Sequence, residues 1–282
     1  MRNSRLYLVL GTAAITMSVF LFTASCKKNK NNATTEDTGY ASDHALAEKN
    51  FDDAESVADV AAHASSGSSI YRTTATTAGP CAMVTKAGST ITVDFGTVNC
   101  TCTDGRTRRG KIIINHTGSY FDSGSVRTIT FDNYYQNDNR IEGTKTVTHM
   151  GLNSAGKPYY NITLAGGKIT RSTGATIESS WARTRTWTNG SGTPFLWSDD
   201  EYSITGGGSI TRTSAAGVVT TGTVAITSPL IVKAGCRWIE AGTVSYTFAG
   251  GTRTLNYGTT ATCDDQAVLT TAAGTTTTIT LP

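Results

Sequence analysis

The stretch "VRTITFDNYYQNDNRIEGTKTVTHM", residues 126–150, decides the fold, because it contains two β-strands joined by a turn. Apolar and polar residues alternate on both sides of Asn137-Asp138-Asn139, and this period of two is typical of a half-buried strand. Asn and Asp tolerate the left-handed backbone of a tight turn. The stretch therefore predicts an antiparallel hairpin with Ile129, Phe131 and Tyr135 on one face.

Glycine-containing turns recur along the chain and predict further hairpins. The segments "RSTGAT", "TSAAGVV", "FAGGTR" and "TAAGTT" each place glycine between two threonine-rich segments, and threonine favours strands. Parallel strand pairs would need long crossover connections, which the sequence lacks. We therefore expect residues 65–282 to form a single, mainly β domain, an antiparallel β-meander that makes a sandwich or a rolled sheet.

Residues 42–64 have the pattern of an amphipathic helix. Ser42 is placed to cap it. The segment is acidic while the later residues are mildly basic, so the two parts are expected to attract each other. We expect the helix to pack on the sheet or to cover its edge; a helix that pairs with another subunit is the alternative. Its thin apolar stripe, at spacings of three and four, consists of Leu46, Phe51, Ala54, Val57, Ala58 and Ala61.

The first residues have the pattern of a lipoprotein signal peptide. Two arginines precede an apolar run that ends at Phe22 and is followed by small residues and Cys26. A cysteine in that place resembles a bacterial lipobox. Residues 1–25 are therefore expected to be removed, and Cys26 to carry palmitate-type chains that anchor the protein to a membrane. Residues 26–41 are polar and aperiodic, as expected of a tether.

The charge balance argues against nucleic acid as a partner. The chain has 24 Lys and Arg against 21 Asp and Glu, far from the strongly basic surfaces of nucleic-acid-binding domains. The local basic run of Arg106, Arg108, Arg109 and Lys111 is expected to be the solvated start of a strand.

Apart from the lipidated residue, five cysteines remain, and in an exported protein they are expected to form disulfide bonds. Cys236 with Cys263, and Cys81 with either Cys100 or Cys102, would each bracket one hairpin and leave one thiol over. A metal site is the alternative for the close pair of cysteines. Its spacing differs from the C-x-x-C ligands of structural zinc, so neither a metal nor another cofactor is expected.

The tripeptide "DFG" at residues 94–96 resembles a kinase motif, but the Gly-rich loop, the strand lysine and the HRD loop of kinases are missing from the sequence. The segment "TLNYGTTATCDD", residues 254–265, repeats its order of an apolar residue, Asp or Asn, an aromatic residue, Gly and Thr, followed by Cys. We therefore expect a related, disulfide-linked hairpin near each end of the β domain, with glycine at the change from strand to turn.

The segment "WARTRTW" is the most suggestive binding feature. In a strand, Trp181, Arg183, Arg185 and Trp187 share one face. Alternating Trp and Arg offers flat stacking surfaces and bidentate donors, the chemistry that binds sugar rings or anionic glycans. The alternative is that the arginines stack on the tryptophans only to cover an apolar face of the sheet.

Paired carboxylates are the main feature that suggests catalysis. Asp199 and Asp200 are adjacent, and a glycosidase needs two carboxylates on either side of a sugar. No nucleophile elbow or general acid–base pair accompanies them in the sequence. We therefore expect no catalytic residues and a non-enzymatic protein that binds a glycan or an envelope protein, or has a structural role. A carbohydrate-active or other hydrolytic enzyme is the alternative.

Several segments together resemble a group of lipoproteins from Bacteroidota whose function is not known. The resemblance covers most of the chain and implies an all-β protein anchored in the outer membrane, facing either the periplasm or the exterior. It implies no ligand and no catalytic residue. It is carried by Cys26, "AEKNFDDAESVADVA" (47–61), "DGRTRRGKI" (104–112), "NRIEGTKTVT" (139–148), "WSDDEYSITG" (197–206), "CRWIEAGTV" (236–244) and "LNYGTTATCDD" (255–265).

The lipobox makes a prediction about the mature protein. Intact-mass analysis of protein extracted from membranes is expected to show a chain that begins at Cys26 and carries covalent lipid. A membrane-extracted protein with Cys26 unmodified would contradict the lipobox.

Overall fold

The computed structural model of the protein describes residues 35–65, 79–119, 121–193 and 196–281, which lie in one compact unit. The predicted signal peptide, Cys26 and the first part of the predicted tether lie outside the described residues.

The described residues form one antiparallel sheet of 14 strands and one long helix, α1 (Thr35–Ser65). Each strand pairs with the next along the chain, except that β2 and the short β3 both pair with β4. The predicted antiparallel meander is confirmed. The strands are β1 (Met83–Ala87), β2 (Thr90–Asp94), β3 (Cys100–Thr101), β4 (Thr107–Thr117), β5 (Val126–Gln136), β6 (Asn139–Leu152), β7 (Pro158–Thr170), β8 (Thr176–Asn189), β9 (Glu201–Thr213), β10 (Val219–Lys233), β11 (Ala241–Phe248), β12 (Gly251–Asn256), β13 (Gln266–Thr270) and β14 (Thr276–Thr280).

The hairpin of residues 126–150 forms as predicted. Asn137 and Asp138 connect β5 to β6 with φ angles of 49° and 60°. A two-residue turn with both φ angles positive matches the twist of the flanking strands, and Asn and Asp adopt it readily. The four predicted glycine turns likewise connect β7 to β8, β9 to β10, β11 to β12 and β13 to β14.

One part of the hairpin prediction is wrong. Ile129 faces the core, but the fully buried aromatic residue is Tyr134 and not Tyr135. Asn133 has a φ of 46°, and the register of β5 against β6 shifts between Thr130 and Tyr135. Such a bulge adds one residue to a strand and moves the following side chains to the opposite face. Tyr135 therefore lies against Arg109, with the guanidinium 3.7 Å from the ring centre.

Helix α1 is longer than predicted. It begins at Thr35 instead of Ser42, so residues 35–41 belong to the helix and not to the tether, and Ser42 is not its cap. Tyr40 and Ala41 are buried against the sheet, and such tertiary packing stabilises helical turns whose sequence has no strong helical preference. No helix in the described part of the chain combines the length and the apolar character needed to cross a membrane.

The sheet is rolled around α1, because strands far apart in the sheet order contact the same helix. Phe51 packs against Phe131 of β5, and Tyr40 stacks on Phe248 of β11 with ring centres 4.1 Å apart. Among the described side chains of α1, from residue 38 to residue 62, only two serines are exposed. The helix is therefore enclosed, not laid over an edge of the sheet.

The acidic side chains of α1 form ion pairs with basic side chains of the sheet, as the charge asymmetry of the sequence predicts. Buried carboxylates lose their hydration, and nearby opposite charges compensate that loss. The pairs are Asp43 with Arg171 and Arg212, Glu48 with Arg183, Asp52 with Lys145, Asp53 with Arg106 and Arg108, Glu55 with Lys145 and Arg185, and Asp59 with Arg127 and Arg185.

The expectation that the basic run 106–111 is solvated is wrong for its centre. The Arg108 side chain has no exposed surface, and its guanidinium contacts Asp53 at 2.7 Å and Asp104 at 2.6 Å. Strand β4 alternates, so Arg108 points to α1 while Arg109 points outward. Of the two acidic partners that make burial possible, Asp104 lies four residues earlier in the sequence and Asp53 lies on α1.

The "DFG" tripeptide is a change from strand to turn, as predicted. Asp94 Oδ1 accepts a hydrogen bond from the Gly96 N–H at 2.8 Å, and Phe95 is buried. The Phe95 N–H donates to the Gly110 carbonyl at 2.9 Å, and the Gly110 N–H donates to the Gly96 carbonyl at 2.7 Å. The turn is thus stabilised both by the Asp94 side chain and by backbone hydrogen bonds to β4.

The second copy of the motif has the same geometry. Asn256 Oδ1 accepts from the Gly258 N–H at 2.8 Å, and Tyr257 is buried. The Tyr257 N–H donates to the Gly242 carbonyl at 2.9 Å, and the Gly242 N–H donates to the Gly258 carbonyl at 3.1 Å. The predicted relation between the two hairpins is confirmed at the level of individual hydrogen bonds.

Glycine is required on the neighbouring strand in both copies. Gly110 has a φ of 83° and Gly242 a φ of 110°. A Cβ atom would lie 2.0 Å from the Asn133 carbonyl oxygen at the first position and 2.3 Å from the Pro229 carbonyl oxygen at the second. Both the positive φ and the close backbone contact exclude a side chain.

The ion pair of Glu48 with Arg183 predicts a large effect on stability. Arg183→Met leaves a buried carboxylate without its guanidinium and is expected to lower the free energy of unfolding by about 3–5 kcal/mol. The double variant Glu48→Met/Arg183→Met is expected to recover most of that loss, because it removes both charges.

Chemical denaturation of the variants measures this effect. Arg140→Met is the matched control, because Arg140 pairs at 3.1 Å with Glu142 in a half-exposed site, where a change below about 1 kcal/mol is expected. Equal losses in Arg183→Met and Arg140→Met would contradict the importance of the buried pair.

Candidate functional site

A cavity of about 430 Å³ lies between α1 and the inner face of the sheet. We call it the α1 cavity. Strands β6 to β10 and the segment 233–239 form most of its other walls, and Asp104, Arg106, Tyr257 and Leu281 complete them. Its charged wall includes Glu48, Glu55, Lys145, Arg183 and Arg185, and its apolar wall consists of Ile162, Trp181, Ile204, Val232, Trp238, Ile239 and Leu281.

The sequence-predicted residues of β8 point toward α1, and three of the four line the α1 cavity. Trp181 is half-buried, and the Arg183 guanidinium lies 4.2 Å from its ring centre. Trp187 is 5% exposed, packs against Tyr202 with ring centres 5.8 Å apart and is not part of the cavity wall. Strand alternation correctly predicted that the four side chains share one face of β8. It did not predict that Trp187 lies in the core while the other three line the cavity.

Arg183 forms a two-pronged ion pair with Glu48. Its Nη2 donates to Glu48 Oε1 at 2.5 Å, and its Nη1 donates to Glu48 Oε2. Burial alone would raise the pKa of Glu48, but Arg183 and, to a lesser extent, His44 and Lys145 lower it to about 2. The Glu48 carboxylate is thus charged, and the Arg183 guanidinium is paired with it.

Arg185 and Lys145 share the carboxylate of Glu55. Arg185 Nη1 donates to Glu55 Oε1 at 2.6 Å, and Lys145 Nζ lies 2.5 Å from Glu55 Oε2. Burial would raise the pKa of Glu55, but these two cations lower it to about 2. Both predicted arginines therefore stabilise α1, and the surface that β8 offers to a ligand is chiefly the ring of Trp181.

The two adjacent carboxylates separate. Asp200 is 2% exposed, lines the α1 cavity and accepts a hydrogen bond from the Tyr202 hydroxyl at 3.2 Å. Asp199 ends the 3-10 turn Trp197–Asp199, accepts from Thr193 Oγ1 at 2.6 Å and is not part of the cavity wall. The structure therefore brings only one of the pair to the cavity.

A further aromatic residue of the site, Trp238, was missed by the sequence analysis. It is half-buried and lies in the segment between β10 and β11. The disulfide bond between Cys236 and Cys263 holds this segment. The segment "CRWIE" contains a sequence signal for a binding residue, because Trp follows Arg beside a disulfide cysteine. Only the fold, however, places that segment opposite α1.

The cysteine pairing agrees with the prediction and resolves its alternative. Cys81 pairs with Cys100, Cys236 pairs with Cys263, and Cys102 is a buried free thiol. Burial raises the pKa of Cys102, which favours the protonated and unreactive form.

One group of potential metal ligands occurs in the described part of the chain. Ligand atoms of Cys236, Glu240 and Cys263 lie within 4.8 Å of one another. The two sulfur atoms are joined in a disulfide and are therefore not the thiolates that bind zinc. The group is better described as the base of the segment that carries Trp238.

No protein-family model, no curated protein and no solved structure matches the chain. The function is therefore inferred from the geometry of the site.

Three buried titratable groups of α1, His44, Glu48 and Glu55, predict loss of stability in acid. Burial lowers the pKa of His44 from 6.5 to about 4, with a smaller contribution from Arg183 and an opposing one from Glu48. Glu48 and Glu55 have pKa values of about 2. In each case the unfolded chain binds protons more readily, so the free energy of unfolding falls as the pH decreases, between about 6.5 and 4 for His44 and between about 4.5 and 2 for the glutamates.

Urea denaturation across this pH range measures the loss. The variant His44→Gln is expected to abolish the decline between pH 6.5 and 4.5 and to keep the decline below pH 4.5. The control His116→Gln, at a partly exposed position of β4, is expected to leave both. Constant stability of the unmodified protein from pH 6.5 to 4.5 would contradict the buried neutral His44.

Proposed function

We propose that the protein is a non-enzymatic lipoprotein of the bacterial cell envelope that binds a glycan in the α1 cavity. The observation that carries this proposal is the cavity itself, which combines two half-buried tryptophans with a wall of charged groups. Its volume of about 430 Å³ lies in the range of sites for small ligands, about 300–1,000 Å³.

The chemistry of the cavity walls suits a sugar. The rings of Trp181 and Trp238 offer flat apolar faces for the C–H faces of a pyranose. A carboxylate oxygen has two lone pairs, so a carboxylate in an ion pair can also accept a hydrogen bond from a sugar hydroxyl. A concave site also favours a glycan over an envelope protein, because protein partners usually require a broader exposed surface.

In this proposal, a lipid anchor on Cys26 determines where in the cell the protein binds its ligand. A lipid on Cys26 and the polar residues that follow it would hold the domain at the outer membrane, where bacterial glycans are abundant.

Hydrolysis is the second candidate, and one observation favours it: Asp200 is a buried carboxylate in the cavity wall. A glycosidase needs a second carboxylate across the scissile bond. Asp199 does not supply it, because its side chain bonds to Thr193 away from the cavity. The wall carboxylates Glu48 and Glu55 are already paired with cations of the sheet. Binding without turnover therefore remains the better proposal.

Binding measurements with the tryptophan variants test the proposal. On an array of bacterial and host glycans, we expect Trp238→Ala to weaken binding at least tenfold and Trp181→Phe to retain part of it, because a smaller aromatic face remains. Trp187→Phe is the matched control, since Trp187 lies outside the cavity wall, and it should bind like the unmodified protein.

Two results would overturn the proposal. Equal weakening by Trp187→Phe and Trp238→Ala, with all variants folded by circular dichroism, would place the glycan outside the α1 cavity. Release of shorter products from a bound glycan, lost in Asp200→Asn, would show that the protein is a hydrolase.

A further inference from the structure

The α1 cavity follows the axis of the helix. Nine of the described residues of α1 line it, from Ala45 to Val60, at spacings of one to three positions. Residues at these spacings share one face of a helix. Because an α-helix rises about 1.5 Å per residue, the lined part of α1 is about 22 Å long. The cavity is therefore much longer than a single sugar ring.

Strand β8 accompanies the helix along the cavity. Arg183 pairs with Glu48, and Arg185 pairs with Glu55, so the chain of β8 advances in the same direction as α1. Trp181, two residues before Arg183, is also part of the wall. The cavity thus lies between two elements that run side by side, and it has the shape of a groove and not of a round pocket.

The cavity opens to solvent between α1 and the segment 233–239. Among the described residues of its wall, three are exposed: Ser56 of α1, and Gly235 and Arg237 of that segment. The space beside Gly235 is open, since a Cβ atom there would have no heavy atom within 4 Å apart from its chain neighbours. These three residues therefore mark the mouth of the cavity.

The wall of the cavity has no excess of either charge. It contains seven acidic and seven basic side chains. The carboxylates of Glu48 and Glu55 are paired with cations of the sheet. A charged ligand would gain attraction from one set of groups and meet repulsion from the other. A neutral ligand, in contrast, leaves the ion pairs undisturbed.

We propose that the ligand of the α1 cavity is a neutral, linear oligosaccharide of several sugar residues, which lies along α1 and reaches the mouth at Ser56 and Gly235. This inference rests on the proposed function and specifies its ligand class. Trp181 of β8 and Trp238 of the segment 233–239 belong to different walls, so each can stack on a different sugar residue of one chain. A chain of linked rings fills a groove that one ring leaves mostly open, and the added contacts strengthen binding.

Calorimetric titration of the complete mature chain tests the length and charge of the ligand. The probes are linear oligosaccharides from the monosaccharide to the hexasaccharide, in cello-, xylo-, manno- and N-acetylchito- series, with oligogalacturonates as the acidic series. In the neutral series that binds, we expect the affinity to rise at least tenfold from the monosaccharide to the tetrasaccharide, because each added ring makes new contacts with the wall. The oligogalacturonates are expected to bind at least tenfold more weakly than the neutral tetrasaccharide.

Variants that narrow the mouth test the path of the ligand. Ser56→Tyr and Gly235→Tyr each place a large side chain at an exposed position of the wall, and each is expected to weaken binding of the neutral hexasaccharide at least tenfold. A disaccharide, which is short enough to stay inside the cavity, should be affected less. The matched controls are Ser42→Tyr and Gly192→Tyr, at exposed positions outside the cavity wall, and they should leave hexasaccharide binding unchanged.

Thiol labelling locates the ligand without measuring its affinity. Bound hexasaccharide is expected to slow the reaction of Ser56→Cys with a maleimide at least fivefold and to leave the reaction of Ser42→Cys unchanged. The native thiol of Cys102 is buried and should not react in the folded protein.

The results separate this inference from the proposed function. Equal affinity for the monosaccharide and the tetrasaccharide, or binding of branched glycans alone on the array, would overturn the extended ligand. Tighter binding of the oligogalacturonates would overturn its neutrality, and unchanged hexasaccharide binding in both mouth variants would overturn its path. Each of these results would keep the glycan-binding function. Binding of no probe, together with no binding on the glycan array, would overturn that function and this inference with it.

Discussion

The ion pairs between α1 and the inner face of the sheet are the interaction on which the rest of the structure depends. The sheet encloses α1, yet the helix carries six carboxylates between Asp43 and Asp59 that pair with cations of β4 to β9 and the turns beside them. Without these pairs the enclosed charges would oppose folding. Because each pair requires one strand position beside one helix position, the pairs also specify how α1 lies within the sheet.

The same constraint shapes the candidate site. The inner end of the α1 cavity is lined by cations that α1 already engages, such as Arg183 and Arg185, and these have little charge left for a ligand. Trp181 and Trp238, both half-buried, supply the aromatic faces of the same cavity. A ligand with an apolar ring face therefore matches the tryptophans better than it matches the paired charges.

The sequence alone predicts the local parts of this arrangement well. The turn at Asn137-Asp138, the four glycine turns and the paired motif around Phe95 and Tyr257 depend on backbone preferences of a few adjacent residues. Predictions that depend on partners distant in the sequence were less successful. Arg108 resembles a solvated residue until Asp53 is placed beside it, and the bulge at Asn133 moves Tyr134 to the core in place of Tyr135.

The amino-acid sequence by itself determined the strand order, the pairing of neighbouring strands and the attraction between an acidic helix and a basic sheet, because these depend on periodicity, turn residues and net charge. Only the tertiary structure decided that the sheet curls around α1, that Arg183 and Arg185 pair with the helix, and that Trp181 and Trp238 line one cavity. Those results depend on which distant side chains come within a few ångströms of one another, and the strength of both ion pairing and desolvation is set at that distance.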